Sequence, residues 1–187
     1  MKAGRLKILL AASPLILGAC AGQGSRQPAA DAEPPAATAE MLPTSGNGAR
    51  GTVTLVQKGD VVVVQADISG LAPNSTHGFH IHENGDCSAA DASSAGGHFD
   101  PSASPHGGRE GEVRHGGDLG NLTADEDGRA RGSVEVEGIS IDHGPDRILG
   151  RAIVVHASRD DLQSQPAGNS GARIACGVIN PSPGKAG

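Results

Sequence analysis

The sequence contains no tryptophan, no tyrosine and only two phenylalanines, so aromatic side chains cannot supply most of a hydrophobic core. Sustained helical periodicity is also absent, which argues against a helix bundle. The one long apolar run, Ile8–Ala19, is too short to span a bilayer as a helix. A core built from this chain must therefore depend on Val, Ile, Leu and Ala, and a covalent cross-link or a bound metal would help to stabilise it.

The apolar run has the surroundings of an export signal. Lys2, Arg5 and Lys7 precede it, and Leu17-Gly18-Ala19-Cys20 ends it. That ending resembles the lipobox of bacterial lipoproteins, which implies cleavage before Cys20 and attachment of lipid to its thiol. Residues 1–19 are thus predicted to be a lipoprotein signal peptide, and the mature chain to be periplasmic or in the cell envelope, anchored to a bacterial membrane. An ordinary signal peptide followed by an incidental cysteine is the alternative.

The mature chain is acidic and divides into two regions. Removing residues 1–19 takes away three positive charges and no negative ones, which changes the formal net charge from −6 to −9. Nucleic acid is therefore not expected as a partner, because binding its phosphates needs clustered Lys and Arg. Residues 20–48 are rich in Ala, Pro, Gly, Ser and Gln and cannot bury enough apolar surface to offset the cost of ordering. We predict a lipidated cysteine and flexible tether there, and one folded domain over residues 49–187.

Within the predicted domain, short apolar stretches separated by Gly, Asn, Asp and Pro indicate β-strands. The predicted strands are Thr52–Gln57, Val61–Ile68, Gly78–Glu83, Gly132–Glu137 and Ile148–His156. Their spacing predicts an all-β antiparallel sandwich or barrel. The Gly-rich stretch of residues 87–117 cannot be mostly strand, and loops of that length are usually functional or disordered.

Two cysteines remain if Cys20 carries a lipid, namely Cys87 and Cys176. Export would place them in an oxidising compartment, where a disulfide persists. Such a bond would close a loop of about 90 residues and fix the Gly-rich stretch to the domain. The alternatives are two free buried thiols or two cysteine metal ligands, although neither cysteine belongs to a C-x-x-C pair.

Seven residues that can bind metals lie within 77 positions of the sequence. They are His80-x-His82, His98, His106, His115-x-x-Asp118 and His156. Copper(II) prefers four nitrogen ligands, and structural zinc prefers four ligands from His, Cys or carboxylate, so two such sites need eight ligand places. Seven residues fill eight places if one imidazole binds one metal through each ring nitrogen, although a water at either site would remove that need.

The spacing of the histidines suggests how they could converge. His80 and His82 are two apart in a predicted strand, so both side chains project from one face and can meet one metal. His156 ends another predicted strand and can approach the same metal. The other four candidates lie among glycines, where the backbone can fold tightly enough to bring side chains together: His98, His106, His115 and Asp118. A carboxylate in that set suits zinc better than copper.

Five segments resemble the motifs of copper,zinc superoxide dismutases and occur in the order found in that family. They are GFHIHE at residues 78–83, GDC at 85–87, GGHFDP at 96–101, HGGDLGN at 115–121 and GARIACG at 171–177. The resemblance spans residues 51–180. It implies a Greek-key antiparallel β-sandwich or flattened barrel with long metal-binding and electrostatic loops.

The resemblance also implies one copper and one zinc per subunit. Copper would be bound by His80, His82, His98 and His156, and zinc by His98, His106, His115 and Asp118, with His98 as the bridge. The implied activity is disproportionation of superoxide to dioxygen and hydrogen peroxide, as a defence against extracytoplasmic superoxide. That reaction needs a metal that cycles between two oxidation states, as copper does and zinc does not, and His98 would couple proton transfer to electron transfer.

Arg173 and Asp160 complete the implied site. Arg173 matches an arginine beside the open copper position, where a guanidinium offers charge and donors to the superoxide anion. The charge is needed locally, because residues 49–187 include 11 basic and 18 acidic side chains. Asp160 matches a carboxylate that links a copper histidine to a zinc histidine, although the adjacent Asp161 could take that role.

Other classes of protein could use some of the same ligands. An exported copper-buffering lipoprotein without turnover is one, and a structural zinc domain is another. Arg173 together with a four-histidine set favours the enzyme, because storage needs no anion guide and structural zinc needs no second site. Copper(I) carriers usually offer Cys or Met, and this chain has only two methionines. The sequence leaves both a monomer and a homodimer open.

Overall fold

The structure, a computed structural model, describes residues 36–183, and these form an almost entirely antiparallel β-fold. The predicted signal peptide, Cys20 and the first part of the predicted tether lie outside the described residues. The strands of the described part are β1 Ala37–Pro43, β2 Arg50–Lys58, β3 Val61–Ser69, β4 Thr76–His82, β5 Asp118–Thr123, β6 Ala130–Glu137, β7 Ala152–His156, β8 Arg173–Val178 and β9 Asn180–Pro181. Within residues 36–183 the only helix is a 3-10 turn, Ser93–Ala95, and none is long and apolar enough to span a membrane.

Eight of the strands form one continuous sheet in the order β5-β4-β7-β8-β1-β2-β3-β6, and the short β9 pairs with β1. All the pairings are antiparallel. Neighbours such as β3 and β6 are not consecutive in the chain, which is the connectivity of a Greek key. The end strands β5 and β6 lie close together, so the sheet curls into a nearly closed barrel. The predicted all-β antiparallel fold is confirmed.

Strands β2, β3, β4, β6 and β7 coincide with the five predicted stretches, with differences at their ends. The largest difference is in β7, which begins at Ala152 instead of Ile148. Residues 148–151 form a turn, closed by a hydrogen bond from the Arg151 amide to the Ile148 carbonyl. Strands β1, β5, β8 and β9 were not predicted.

The predicted tether is wrong over its last part, because residues 37–43 form β1. Ala37, Ala39 and Met41 are buried in the core and alternate with residues that are half-buried or exposed. The strand pairs with β2 along most of its length and meets β8 at Leu42 and Cys176. Alanine is a weak strand former, which explains why a search for Val and Ile overlooked this element.

The core fills the barrel and leaves one face of β4 and β7 for the histidines. Phe79 and Ile81 of β4 join the core, while the alternate residues His80 and His82 point to the other face. β7 is paired with β4 and ends in His156. The pairing of β4 with β7 therefore places three of the seven candidate ligands, and a fourth, Asp118, begins β5 and lies opposite His80.

A disulfide joins Cys87 to Cys176, which are 89 residues apart in sequence. Cys176 lies in β8, and Cys87 lies near the start of the long connection between β4 and β5. The predicted cysteine pair is confirmed. The bond ties this connection to the barrel three residues from Arg173.

Candidate metal centre

Four histidines meet on the outer face of the barrel. His80 and His82 come from β4, His156 from the end of β7, and His98 from the connection between β4 and β5. One ring nitrogen of each lies within 4.8 Å of the others. Nε2 of His82 and Nε2 of His156 are 3.3 Å apart. We refer to these residues as the four-histidine group.

Two buried ring nitrogens of this group, His80 Nδ1 and His98 Nε2, have no hydrogen-bond partner in the described part of the chain. The opposite nitrogen of each ring is engaged: His80 Nε2 lies 2.8 Å from Asp160 Oδ2, and His98 Nδ1 lies 2.8 Å from Asp118 Oδ1. A buried polar atom without a hydrogen-bond partner lowers stability. Both nitrogens are therefore suited to donate a lone pair to a metal. Four converging imidazoles are a donor set that copper(II) prefers.

Burial keeps the three strand histidines of this group neutral. Burial lowers the pKa of His80 to about 4 and the pKa of His156 to about 3. The pKa of His82 is lowered as well, by burial first and then by nearby positive charge that includes Arg173. Since a metal binds the deprotonated imidazole, His80, His82 and His156 are ready to bind one at neutral pH.

A second group contains a carboxylate and shares His98 with the first. Asp118 Oδ1 lies 2.8 Å from Nδ1 of His98, 3.0 Å from Nδ1 of His106 and 3.3 Å from Nδ1 of His115. The Nδ1 atoms of His98 and His115 are 3.4 Å apart. Four ligands about 2.0–2.1 Å from a tetrahedral zinc are roughly 3.3–3.4 Å from one another. We call this set the carboxylate group. Its donors fit zinc, and the separations of 3.3 Å and 3.4 Å match that spacing, whereas those of 2.8 Å and 3.0 Å are hydrogen-bond lengths.

The backbone holds Asp118 in place. Its Oδ2 accepts hydrogen bonds from the amides of Gly107 and His115, at 3.1 Å and 2.9 Å. Burial alone would raise the pKa of Asp118, but hydrogen bonds from His106, His98 and the Gly107 amide hold it far below the usual range. Only glycine fits at the preceding position 117, because a Cβ on Gly117 would overlap the carbonyl of Ile81. The carboxylate is therefore ionised and rigid.

Asp160 lies between the two groups. Its Oδ2 is 2.8 Å from His80 Nε2, and its Oδ1 is 3.0 Å from His106 Nε2. Burial opposes protonation of His106, yet its hydrogen bonds to Asp118 and Asp160 raise its pKa to about 9. The neighbouring Asp161 instead accepts hydrogen bonds from Ser164 and Asn169. The carboxylate that contacts both groups is thus that of Asp160.

Arg173 is the first residue of β8 and lies opposite His156 in the sheet. Its guanidinium donates hydrogen bonds to the carbonyls of Ala92 and Gly96, at a distance of 2.5 Å in each case. The Gly96 carbonyl also accepts from His82 Nδ1 over 2.9 Å, so Arg173 and His82 share one acceptor. A permanent positive charge is thus fixed beside the four-histidine group.

Two amide side chains that support the site were not recognised from the sequence. Asn121 makes two hydrogen bonds to the backbone of Asp160. Asn121 Oδ1 accepts from the Asp160 amide at 2.8 Å, and Asn121 Nδ2 donates to the Asp160 carbonyl at 3.0 Å. Gln165 makes the same kind of pair with His106. Asn121 lies within the HGGDLGN segment at residues 115–121, and that place in a family motif is the signal that could have found it. No comparable signal marks Gln165.

A sequence model of the family described as Copper/zinc superoxide dismutase (SODC) matches residues 49–179. The chain belongs to this family. A curated relative, Superoxide dismutase [Cu-Zn] of Paramecium bursaria Chlorella virus 1, is 46% identical over 136 residues, which cover 70% of this chain and 72% of the relative. Among solved structures, that of the clock protein EA4 matches with a TM-score of 0.70 and 40% identity, over 78% of this chain and 94% of the other.

As a copper/zinc superoxide dismutase, the protein converts superoxide to dioxygen and hydrogen peroxide and uses copper and zinc as cofactors. The two groups of candidate ligands fit those two metals by donor type, and the ligand atoms of each group lie within 4.8 Å of one another. A copper-buffering role without turnover is not favoured, since the family match and the relative's name both indicate the enzyme.

Proposed function

We propose that the two groups divide the work of the dismutase, with copper bound by His80, His82, His98 and His156, and zinc bound by His98, His106, His115 and Asp118. The observation that carries the proposal is the orientation of His98. Its Nε2 has no partner inside the four-histidine group, and its Nδ1 faces Asp118 in the carboxylate group. When bound, copper supplies the change of oxidation state and zinc supplies a fixed charge.

We assign proton transfer to His98. Its Nε2 is buried and can hold a proton whenever it is not bonded to a metal. Its Nδ1, directed at the carboxylate group, keeps the ring in one orientation while Nε2 changes state. A proton on Nε2 lies inside the four-histidine group, where it is available to the reduced anion.

Arg173 has the role of attracting and orienting superoxide. The domain is acidic, with 11 basic and 18 acidic residues over positions 49–187, so the anion needs a local positive charge. The guanidinium does not lose its proton at physiological pH, and the carbonyls of Ala92 and Gly96 fix its position.

Asp160 sets the protonation of two ligands. Because it accepts from Nε2 of His80, the proton of that ring lies on Nε2 and the lone pair on Nδ1 faces the four-histidine group. Its other oxygen orients His106 in the same way. One carboxylate thereby links the ligand geometry of both groups.

The assignment is tested by measuring superoxide decay on metal-loaded protein. Wild type should remove superoxide rapidly, His156→Ala should fall to the background rate, and Arg173→Ala should be about tenfold slower and less sensitive to salt. Lys58→Ala, which removes a positive charge from the exposed end of β2, serves as the matched control and should resemble wild type. Decay in the wild type no faster than in His156→Ala would refute the assignment.

We further propose that the protein is exported and anchored through lipid on Cys20. Support comes from the sequence: three basic residues, an apolar run and the lipobox-like residues before Cys20. The start of β1 at Ala37 shortens the proposed tether to residues 21–36. When bacteria that express the protein are grown with radiolabelled palmitate, the wild-type protein should become labelled and the Cys20→Ser protein should not. A wild-type protein without label would contradict the lipid anchor.

A further inference from the structure

One side-chain amide holds the backbone of His106 from both sides. The His106 amide donates to Gln165 Oε1 and Gln165 Nε2 donates to the His106 carbonyl, each at a distance of 2.8 Å. The second proton of Nε2 goes to the carbonyl of Gln163, at 3.2 Å. A flipped amide would set its N–H groups against the His106 N–H, so the orientation of Gln165 is determined by its partners.

The same stretch of chain also packs against the His106 ring. A Cβ at Gly168 would overlap Asp160 Oδ1 and lie 2.7 Å from His106 Nε2. The backbone at Gly168 therefore lies against the two hydrogen-bonded atoms, Asp160 Oδ1 and His106 Nε2. A Cβ at Gly108 would lie 3.4 Å from the Cβ of Leu162. Leu162 and Gly168 thus lie close to residues 106–108 from a different loop of the protein.

His106 needs such support because it lies outside any strand. Residues 103–108 have no regular secondary structure, whereas His80 and His82 are fixed by the pairing of β4 with β7. In a strand, the amide and carbonyl of a residue can be held by a neighbouring chain. The amide of Gln165 makes the equivalent pair of hydrogen bonds to His106.

We propose that Gln165 is a positioning residue for the zinc site: it fixes the backbone of His106 so that Nδ1 points at Asp118 and Nε2 points at Asp160. The inference rests on the proposed assignment of His106 as a zinc ligand. Gln165 belongs to the loop that also carries Asp160, so it ties that loop to the carboxylate group. Loss of residues that orient ligands typically weakens metal binding 10- to 100-fold, and we expect about tenfold for Gln165, which does not contact the ring.

The experiment uses the full chain with the four-histidine group loaded with copper, and measures zinc affinity by competition with a chromophoric chelator. Gln165→Ala should raise the zinc Kd about tenfold. Gln165→Glu retains an acceptor for the His106 amide but sets a second oxygen against the His106 carbonyl, so it should weaken zinc at least as much. Gln163→Ala is the matched control, because the backbone carbonyl that Gln165 contacts is retained, and its Kd should stay within about twofold of wild type.

Cobalt(II) in the carboxylate group reports geometry directly through its visible absorption. Gln165→Ala and Gln165→Glu should change the position or intensity of the tetrahedral cobalt bands, which a general loss of stability would not do. Zinc Kd values within about twofold of wild type together with unchanged cobalt bands, in both variants, would overturn the role of Gln165. If wild type binds zinc no better than His106→Ala, the zinc assignment itself is overturned, and the role of Gln165 with it.

Discussion

Breaking the disulfide should lower the free energy of unfolding of the metal-free protein by about 4–5 kcal/mol. The bond spans 89 residues, and for a loop of that length the chain-entropy model gives a loss of roughly 15 cal/mol/K in the unfolded chain. In a domain of this size the corresponding decrease in Tm is roughly 10–20 °C. Urea denaturation of the oxidised and the phosphine-reduced protein measures the difference on one sequence, without any change in packing volume.

The metal must be removed for this test, because metals bound by His98 and His156 would also cross-link the chain and shorten the loop that the disulfide closes. Cys87→Ala/Cys176→Ala is a second form of the perturbation; Cys176 is buried against small apolar residues, so alanine is tolerated there. A difference below about 1 kcal/mol between the oxidised and reduced protein would refute the reasoning, since it would mean that the unfolded chain gains almost nothing from the opened loop.

Two further predictions concern the loops around the centre. Gly168→Ala should reduce the zinc content and the stability more than Gly59→Ala: both residues have similar φ, +61° and +58°, but only a Cβ at Gly168 would overlap Asp160. Metal analysis and urea denaturation measure both effects, and equal losses would contradict the prediction. Thr44→Val should lower the free energy of unfolding by about 1 kcal/mol more than Thr54→Val. The buried Thr44 hydroxyl donates to the Arg173 carbonyl at a distance of 2.8 Å, whereas the exposed hydrogen bond of Thr54 is 3.4 Å long. Urea midpoints that do not differ would refute this.

Strand prediction succeeded where apolar side chains alternate or cluster and failed where strand pairing alone decides. β2 alternates Thr and Val, β3 begins with four Val, and both patterns are visible in the sequence. β5 reads DLGNLT, in which Gly and Asn interrupt the apolar pattern, and its place is set by pairing with β4. β1 buries alanines, whose small side chains give a weak signal, although their burial is complete. Local sequence carries little record of such tertiary constraints.

The ligand types of the centre could be predicted because chemistry and spacing limit the choices, whereas their supports could not. His80 and His82 must share a face of a strand, and the count of ligands suggested one shared imidazole. By contrast, Gln165 contacts His106 across 59 residues, and Asn121 contacts Asp160 across 39. A polar side chain that meets a distant backbone leaves no periodic pattern, so only the folded chain reveals it.

The two groups differ in how much of their geometry belongs to the barrel. His80, His82 and His156 lie on paired strands, so their relative positions persist as long as the sheet does. The three loop histidines of the carboxylate group lie in the connection between β4 and β5, which is held by the disulfide, by contacts to Asp118 and Asp160, and by the amide of Gln165. Loops open locally at a lower free energy than core strands. Because His98 belongs to both groups, such an opening would remove a ligand from each at once, whereas a change confined to β7 would affect only the four-histidine group.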